Sequence, residues 1–249
     1  MRGLLDVVLP PRCMACGALV SAPGLFCSEC WASLGFLDGP ACVQCGLPFE
    51  SPSQGHVEGD GSPEDGGLKC GACLANPPAF ARARAVWRYD GAARAAIVAF
   101  KHGDRPEQAR HLAPALARAV AGLLDVPDLM VVPVPLHRGR IWRRGYNQAA
   151  LLARALARLV RRPVVLDALL RLRATPPQQG LDRVARRANV RRAFAVNPRR
   201  VAHVQGRTVL LVDDVMTTGA TLDACATALL KAGAREVRVA TLARVVLMA

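Results

Sequence analysis

Beyond residue 80 the chain alternates two kinds of apolar pattern. AVWRY (85–89), DLMVVPVPL (128–136), TVLLVDDV (208–215) and EVRVATLARVV (236–246) are short apolar runs and read as strands. Between them, DGAARAAIVAFK (90–101), HLAPALARAVAGLL (111–124), NQAALLARALARLV (147–160) and TLDACATALLKAGA (221–234) repeat apolar residues every three or four positions, which predicts helices. In 147–160, Leu151, Leu152, Ala155, Leu156 and Leu159 fall on one side and the arginines between them. Pro114 suits the first turn of its helix, and Gly233 ends the last one. Alternating units of this length predict an α/β fold, a parallel sheet flanked by helices on both faces. Ligands of such sheets sit beyond the carboxyl ends of the strands.

The first eighty residues follow another pattern. Eight of the nine cysteines form four C-x-x-C pairs: Cys13/Cys16, Cys27/Cys30, Cys42/Cys45 and Cys70/Cys73. One such turn brings two thiolates to an ion, and two turns complete a tetrahedral sulfur shell suited to zinc. Glycine follows the second cysteine in CMACG and CVQCG, as a tight knuckle favours. The sequential assignment is two structural zinc sites, Cys13, Cys16, Cys27 and Cys30, then Cys42, Cys45, Cys70 and Cys73. Four pairs join two by two in three ways, and spacing does not choose among them. Apolar residues are few here (Leu25, Phe26, Trp31, Leu34, Phe36, Leu47, Phe49), so zinc would supply much of the module's folding free energy. ESPSQGHVEGDGSPEDGG, within residues 50–69, reads as an acidic disordered loop with a solvated His56. PPAF (77–80) marks a boundary, giving a cysteine-rich module over 1–80 and an α/β domain over 81–249. Cys225 stands apart, on an apolar helix pattern that makes it a small core residue.

Composition adds charge and location. The chain has 33 basic and 19 acidic residues. Residues 1–80 hold three basic and eight acidic side chains, and residues 81–249 hold thirty and eleven. The basic part could attract nucleic acid, phosphorylated metabolites or acidic membrane; arginines on solvated helix faces explain it equally well. No run approaches the ~18 apolar residues of a membrane span. Asp6, Pro10 and Pro11 interrupt any signal-peptide core, so a cytoplasmic location is expected. Reduced cytosolic thiols also disfavour a disulfide framework.

The most informative stretch is VLLVDDVMTTGAT (209–221). A buried strand delivers Asp213 and Asp214, and a loop of small and hydroxyl residues runs into a helix. Backbone N–H groups and a helix N-terminus make an anion site, the threonines add donors, and Gly219 admits close approach. Phosphate in the loop and a diol or magnesium ion on the carboxylates suit a phosphorylated sugar.

These thirteen residues resemble the signature with which type I phosphoribosyltransferases bind phosphoribosyl pyrophosphate (PRPP). The resemblance implies that Asp213 and Asp214 are the catalytic carboxylates, on the ribose hydroxyls, and that Met216, Thr217, Thr218, Gly219, Ala220 and Thr221 hold the 5′-phosphate. Over nearly its whole length the chain resembles the ComF competence-protein family, a double zinc ribbon fused to a type I phosphoribosyltransferase domain. That likeness includes YDGAARAAIVAFKHGD (89–104), VPVPLHRGRIWRRGYNQ (132–148) and RATPPQQGLDRVARRANVRRAF (173–194). It implies a pyrophosphate loop at Leu136, His137 and Arg138, followed by Arg143, Arg144, Asn147 and Gln148; the guanidinium fork suits phosphate oxygens. His137 as an ordinary loop residue is the alternative. Lys101 and His102 end a helix, where Lys101 either reaches the site or stabilises the helix dipole. The third segment resembles a flap that excludes water, with Gln178, Gln179, Arg183, Arg186 and Asn189 as donors; a solvated amphipathic helix reads equally.

Two departures limit the activity implied. No base-recognition segment is identifiable, and the N-terminal cysteine nucleophile of an amidotransferase is missing, the first cysteine being Cys13. Three readings follow: magnesium-dependent phosphoribosyl transfer to an unidentified acceptor; an adapter that handles single-stranded DNA in natural competence, although aromatic residues for stacking are only 4%; and docking of the acidic ribbon on a partner such as a helicase.

Overall fold

A computed structural model describes residues 10–51, 55–56, 67–102, 105–173 and 193–246. Four parallel strands form the central sheet in the order β1-β6-β5-β2: β1 (Arg82–Arg88), β2 (Leu129–Pro133), β5 (Thr208–Met216) and β6 (Glu236–Arg244). Period-two alternation divides their side chains between two cores. Val209, Leu211, Val237, Val239, Met130 and Val132 point to one face, and Leu210, Val212, Leu129, Val131, Ala240 and Leu242 to the other. Both faces are covered, so β2 and the first half of β5 are continuous apolar runs rather than alternating in polarity, while β1 and β6 keep arginines among their buried residues.

Three helices cover the second face: α1 (Gly91–His102), α2 (Gln108–Ala119) and α4 (Gln148–Leu159). The first face carries α5 (Ala220–Lys231), the antiparallel pair β3 (Leu169–Arg171) and β4 (Phe194–Val196), and Cys42, Cys45, Cys70 and Cys73. A short helix, α3 (Arg138–Arg144), lies between β2 and α4, where the sequence suggested only a loop.

The cysteine-rich segment is built into this sheet. Arg88 N–H donates to Gly35 O (2.7 Å) and Leu37 N–H to Val86 O (3.0 Å), so residues 35–37 cover the free edge of β1. At the opposite edge, Val131 pairs with residues 163–165 through Pro163 O (2.8 Å) and Val165 N–H (3.0 Å). Phe26 and Phe36 meet Trp87 of β1 edge-on, at 6.0 and 6.4 Å between centroids. Part of the apolar set assigned to the cysteine module thus packs on the sheet.

Two expectations need correction. The helix around Pro114 starts at Gln108, a turn earlier, so Pro114 lies in its interior. The start is set by the turn at residues 105–107, and the buried Gln108 gives no apolar signal. Within residues 50–69, read as a disordered loop, the described residues at 56 and 69 are paired. His56 and Lys69 exchange two backbone hydrogen bonds of 2.9 Å, closing its base, while the His56 side chain is exposed. Backbone pairing of this kind has no compositional signature. The flap residues Gln178, Gln179, Arg183, Arg186 and Asn189 lie outside the described residues.

Candidate functional site

Strand β5 ends with both carboxylates at the C-terminal edge of the sheet, but they have different surroundings. Asp214 is 4% exposed and fully engaged. Lys101 Nζ, from the last turn of α1, lies 2.7 Å from Asp214 Oδ1. Gln148 Nε2, at the start of α4, donates to Asp214 Oδ2 at 2.6 Å, and Arg144 Nη1 donates to Gln148 Oε1 at 2.7 Å. Burial lowers the affinity of Lys101 for its proton, but the Asp214 charge outweighs this and the ammonium titrates above its usual range. Asp213 is only partly covered. Burial, then the charge of Asp214, pushes it up to about 7, against the pull of the Asp214 N–H, Lys101 and Arg171. One carboxylate is therefore committed to the protein, and the other is held short of charge compensation.

The residues after β5 form the expected loop. Gly219 has φ +79°, a conformation that favours glycine, and a Cβ there would lie 2.9 Å from the movable end of Met216, Cε. Ala220 and Thr221 open α5, whose first N–H groups lack carbonyl partners within the helix. Thr217 is exposed, and Thr218 Oγ1 is buried with no partner. An orphaned hydroxyl beside a helix N-terminus is the donor set a phosphate would satisfy.

The segment after β2 runs alongside, because Val134 N–H extends the pairing to Val212 O (2.9 Å). Leu136 and His137 are half-buried, and Arg138 is exposed. His137 Nδ1 accepts from Gly139 N–H (3.3 Å) and caps α3, which Gly145 (φ +81°) terminates. The following Tyr-Asn-Gln ties three elements together. Tyr146 Oη donates to Phe100 O of α1 (2.5 Å); Asn147 caps α4 through Ala149 N–H (3.0 Å) and donates to Val134 O (3.1 Å); Gln148 holds Asp214. On α3, Trp142 is 92% exposed among the arginines.

Two arginines escaped the sequence reading. Arg171 of β3 lies over Phe194, 5.3 Å from the ring centroid, and its charge is felt at Asp213 and at the buried Cys225. Arg244 ends β6 and is 8% exposed. Neither belongs to a contiguous motif, and their only sequence signal is a cation within or ending an apolar run.

The cysteines meet in the sequential arrangement. Cys13, Cys16, Cys27 and Cys30 form one tetrad, Cys42, Cys45, Cys70 and Cys73 the other, and within each the ligand atoms lie within 4.8 Å of one another. The Cys16–Cys27 and Cys45–Cys70 sulfurs are 3.7 Å apart. Tetrahedral zinc with bonds of about 2.3 Å requires about 3.8 Å. Each site pairs one glycine-ended knuckle, at Gly17 (φ +79°) or Gly46 (φ +69°), with one helical turn that follows directly on Cys27 or Cys70. In the second tetrad, thiol hydrogen bonds push Cys42 down, Cys45 up to about 11 and Cys73 far up. Four packed thiols ionise together only around a cation, and both donor sets fit structural zinc.

Comparison with known proteins agrees with this architecture. Residues 4–74 match the double zinc ribbon domain and residues 143–245 the phosphoribosyl transferase domain. The DNA utilization protein YhgH of Escherichia coli O157:H7 is 36% identical over 224 residues, 88% of this chain and 89% of the relative. Competence protein F of Haemophilus influenzae is 34% identical over 241 residues, 94% and 96% of the two chains. Competence protein ComFC of Bacillus subtilis is 27% identical over 150 residues, 60% and 58%. Among solved structures, the B. subtilis glutamine PRPP amidotransferase complexed with ADP and GMP covers 57% of this chain and 30% of its own, at 23% identity and TM-score 0.39. With its two cysteine tetrads set against a phosphoribosyltransferase-type sheet, and with relatives matched over most of both chains, this chain belongs to the ComF competence-protein family.

Proposed function

We propose that the C-terminal edge of the sheet binds PRPP with magnesium and supports transfer of its phosphoribosyl group. The observation that carries the reading is the loop after β5, where a glycine with obligatory positive φ, a helix N-terminus and the orphaned Thr218 hydroxyl converge beside Asp213. In this reading Met216 through Thr221 take the 5′-phosphate, Asp213 accepts from the ribose hydroxyls, and Leu136, His137 and Arg138 border the pyrophosphate. Asp214 acts through its bonds to Lys101 and Gln148, fixing the end of β5. Magnesium would neutralise pyrophosphate charge, and the uncompensated Asp213 carboxylate suits a cation arriving with the ligand. The acceptor forms its bond to C1′ as the bond to pyrophosphate breaks, and pyrophosphate leaves with that electron pair. The protein contributes positioning and charge neutralisation. We further propose residues 1–80 as a zinc-folded module, 81–249 as the ligand-binding domain, and a reducing cytoplasmic setting for the thiols.

Titration calorimetry of the zinc-loaded protein with PRPP, with and without magnesium, tests this. Saturable magnesium-dependent binding is expected, with loss in Asp213→Asn at unchanged far-ultraviolet dichroism. A folded wild type that binds no PRPP would overturn the reading.

One observation favours a second reading, an adapter that handles single-stranded DNA. Trp142 offers an exposed stacking face on a helix that also contains Arg138, Arg140 and Arg144. Binding of oligodeoxythymidylate should quench Trp142 fluorescence and fall steeply with salt, and Trp142→Ala should weaken it. Equal affinity of wild type and variant would remove Trp142 from the contact.

A further inference from the structure

The second cysteine tetrad and the phosphate loop meet at one side chain. Arg244 Nη1 donates to the carbonyl oxygen of Cys45 and lies 3.3 Å from Met216 Sδ, at the start of the loop. Its Nε is buried without a partner, and among the described residues no carboxylate pairs with it. A buried guanidinium needs a counter-charge. Four thiolates around one zinc ion would carry a net charge of −2 and would supply it. Arg84 of β1 flanks the same tetrad and donates to Ala83 O (2.9 Å) and Val43 O (3.4 Å).

Steric links run parallel to the charge. Met216 Cε fills the space beside Gly219. Gln44, between the knuckle cysteines, donates to Pro78 O (3.1 Å) and Phe80 O (3.3 Å). Ala79 N–H, in that same segment, donates to Asp223 Oδ1 (2.7 Å) in the first turn of α5. A cleft lined by Cys45, Cys73, Phe80, Met216, Thr218 and Arg244 lies between tetrad and loop. Among the described residues the first tetrad shows no such connection to the loop; Arg12 beside it is exposed and donates to Gly17 O (3.1 Å).

We propose that the zinc-loaded second tetrad buttresses the phosphate loop, with Arg244 as the positioning residue, so that zinc retention at Cys42, Cys45, Cys70 and Cys73 and ribose-phosphate binding are coupled. The proposal rests on the loop reading above. Coupling is reciprocal: a ligand that binds more tightly when the second zinc is present must also hold that zinc more tightly.

The test is the partition of zinc at equilibrium between the full-length protein and 4-(2-pyridylazo)resorcinol, read by absorbance, with and without PRPP and magnesium. Cys16→Ser, which disables the first site, identifies the zinc belonging to the second. PRPP is expected to raise the zinc affinity of the second site about tenfold, in the range usual for coupled sites, and to leave the first unchanged. Arg244→Gln should keep two zinc ions by elemental analysis, bind PRPP more weakly and lose that gain, and Arg244→Lys should recover part of both. Calorimetry on the same wild-type sample separates the failures. PRPP binding with unchanged second-site zinc affinity overturns the coupling alone; no PRPP binding overturns the loop reading and the coupling with it. The wild-type comparison decides the matter even if Arg244→Gln does not fold.

Discussion

At the residue scale, the adjacent carboxylates do different work. Asp214 is enclosed by Lys101 and Gln148, while Asp213 keeps a proton to about 7 against the usual 3.8. Between those values the folded chain holds a proton that the unfolded chain has released, so stability falls as pH rises through that window. Asp213→Asn removes this penalty. Its melting temperature should exceed that of the parent at about pH 8, and the difference should close towards pH 4. Calorimetric scans at both values check it, and a gap independent of pH would refute the assignment. Gly219→Ala places a Cβ against Met216 in a backbone region that alanine disfavours, and should cost about 1–3 kcal/mol in denaturant unfolding. Asp213, Asp214 and the threonine loop could be read as one group because they are contiguous. Arg171 and Arg244 were not, because what gives each its meaning lies far away in sequence, Asp213 for one and Cys45 for the other.

At the element scale, the helices of the second face were legible from periodicity, since one side of each must pack on the sheet. Leu156, fully buried on α4, should cost about 2–5 kcal/mol as Leu156→Ala. The start of α4 depends on one polar side chain. Asn147→Ala loses the bond from Ala149 N–H and the bond to Val134 O, and should cost about 1 kcal/mol or more by chemical denaturation. An effect near zero would mean that backbone pairing alone positions the strand–helix junction. Apolar spacing was less reliable at helix starts, where polar residues such as Gln108 are buried by the turn before them.

At the scale of the whole molecule, the second tetrad belongs to the same apolar cluster as Val209, Val239 and Leu229, with Cys42 wholly buried and Cys45, Cys70 and Cys73 at 5–7% exposure. Cys16 of the first tetrad is exposed, and Cys27 and Cys30 are half-buried. Zinc removal should therefore lower the main melting transition chiefly through the second site. Cys42→Ser is expected to depress that transition more than Cys16→Ser in calorimetry, and equal depression would show that the tetrads contribute alike. No helix among the described residues is long and apolar enough to cross a membrane.

The sequence by itself determined what local pattern can encode: the α/β alternation, the four C-x-x-C turns and the glycine-ended threonine loop after β5. These rest on periodicity, on spacing within a turn and on glycine's access to positive φ, all set by neighbouring residues. Tertiary structure alone decided which C-x-x-C pairs share an ion, which carboxylate is occupied, that residues 35–37 cover the edge of β1, and that Arg244 connects tetrad to loop. Each depends on groups that only folding brings together, where burial strengthens charge interactions and leaves unpaired polar atoms costly.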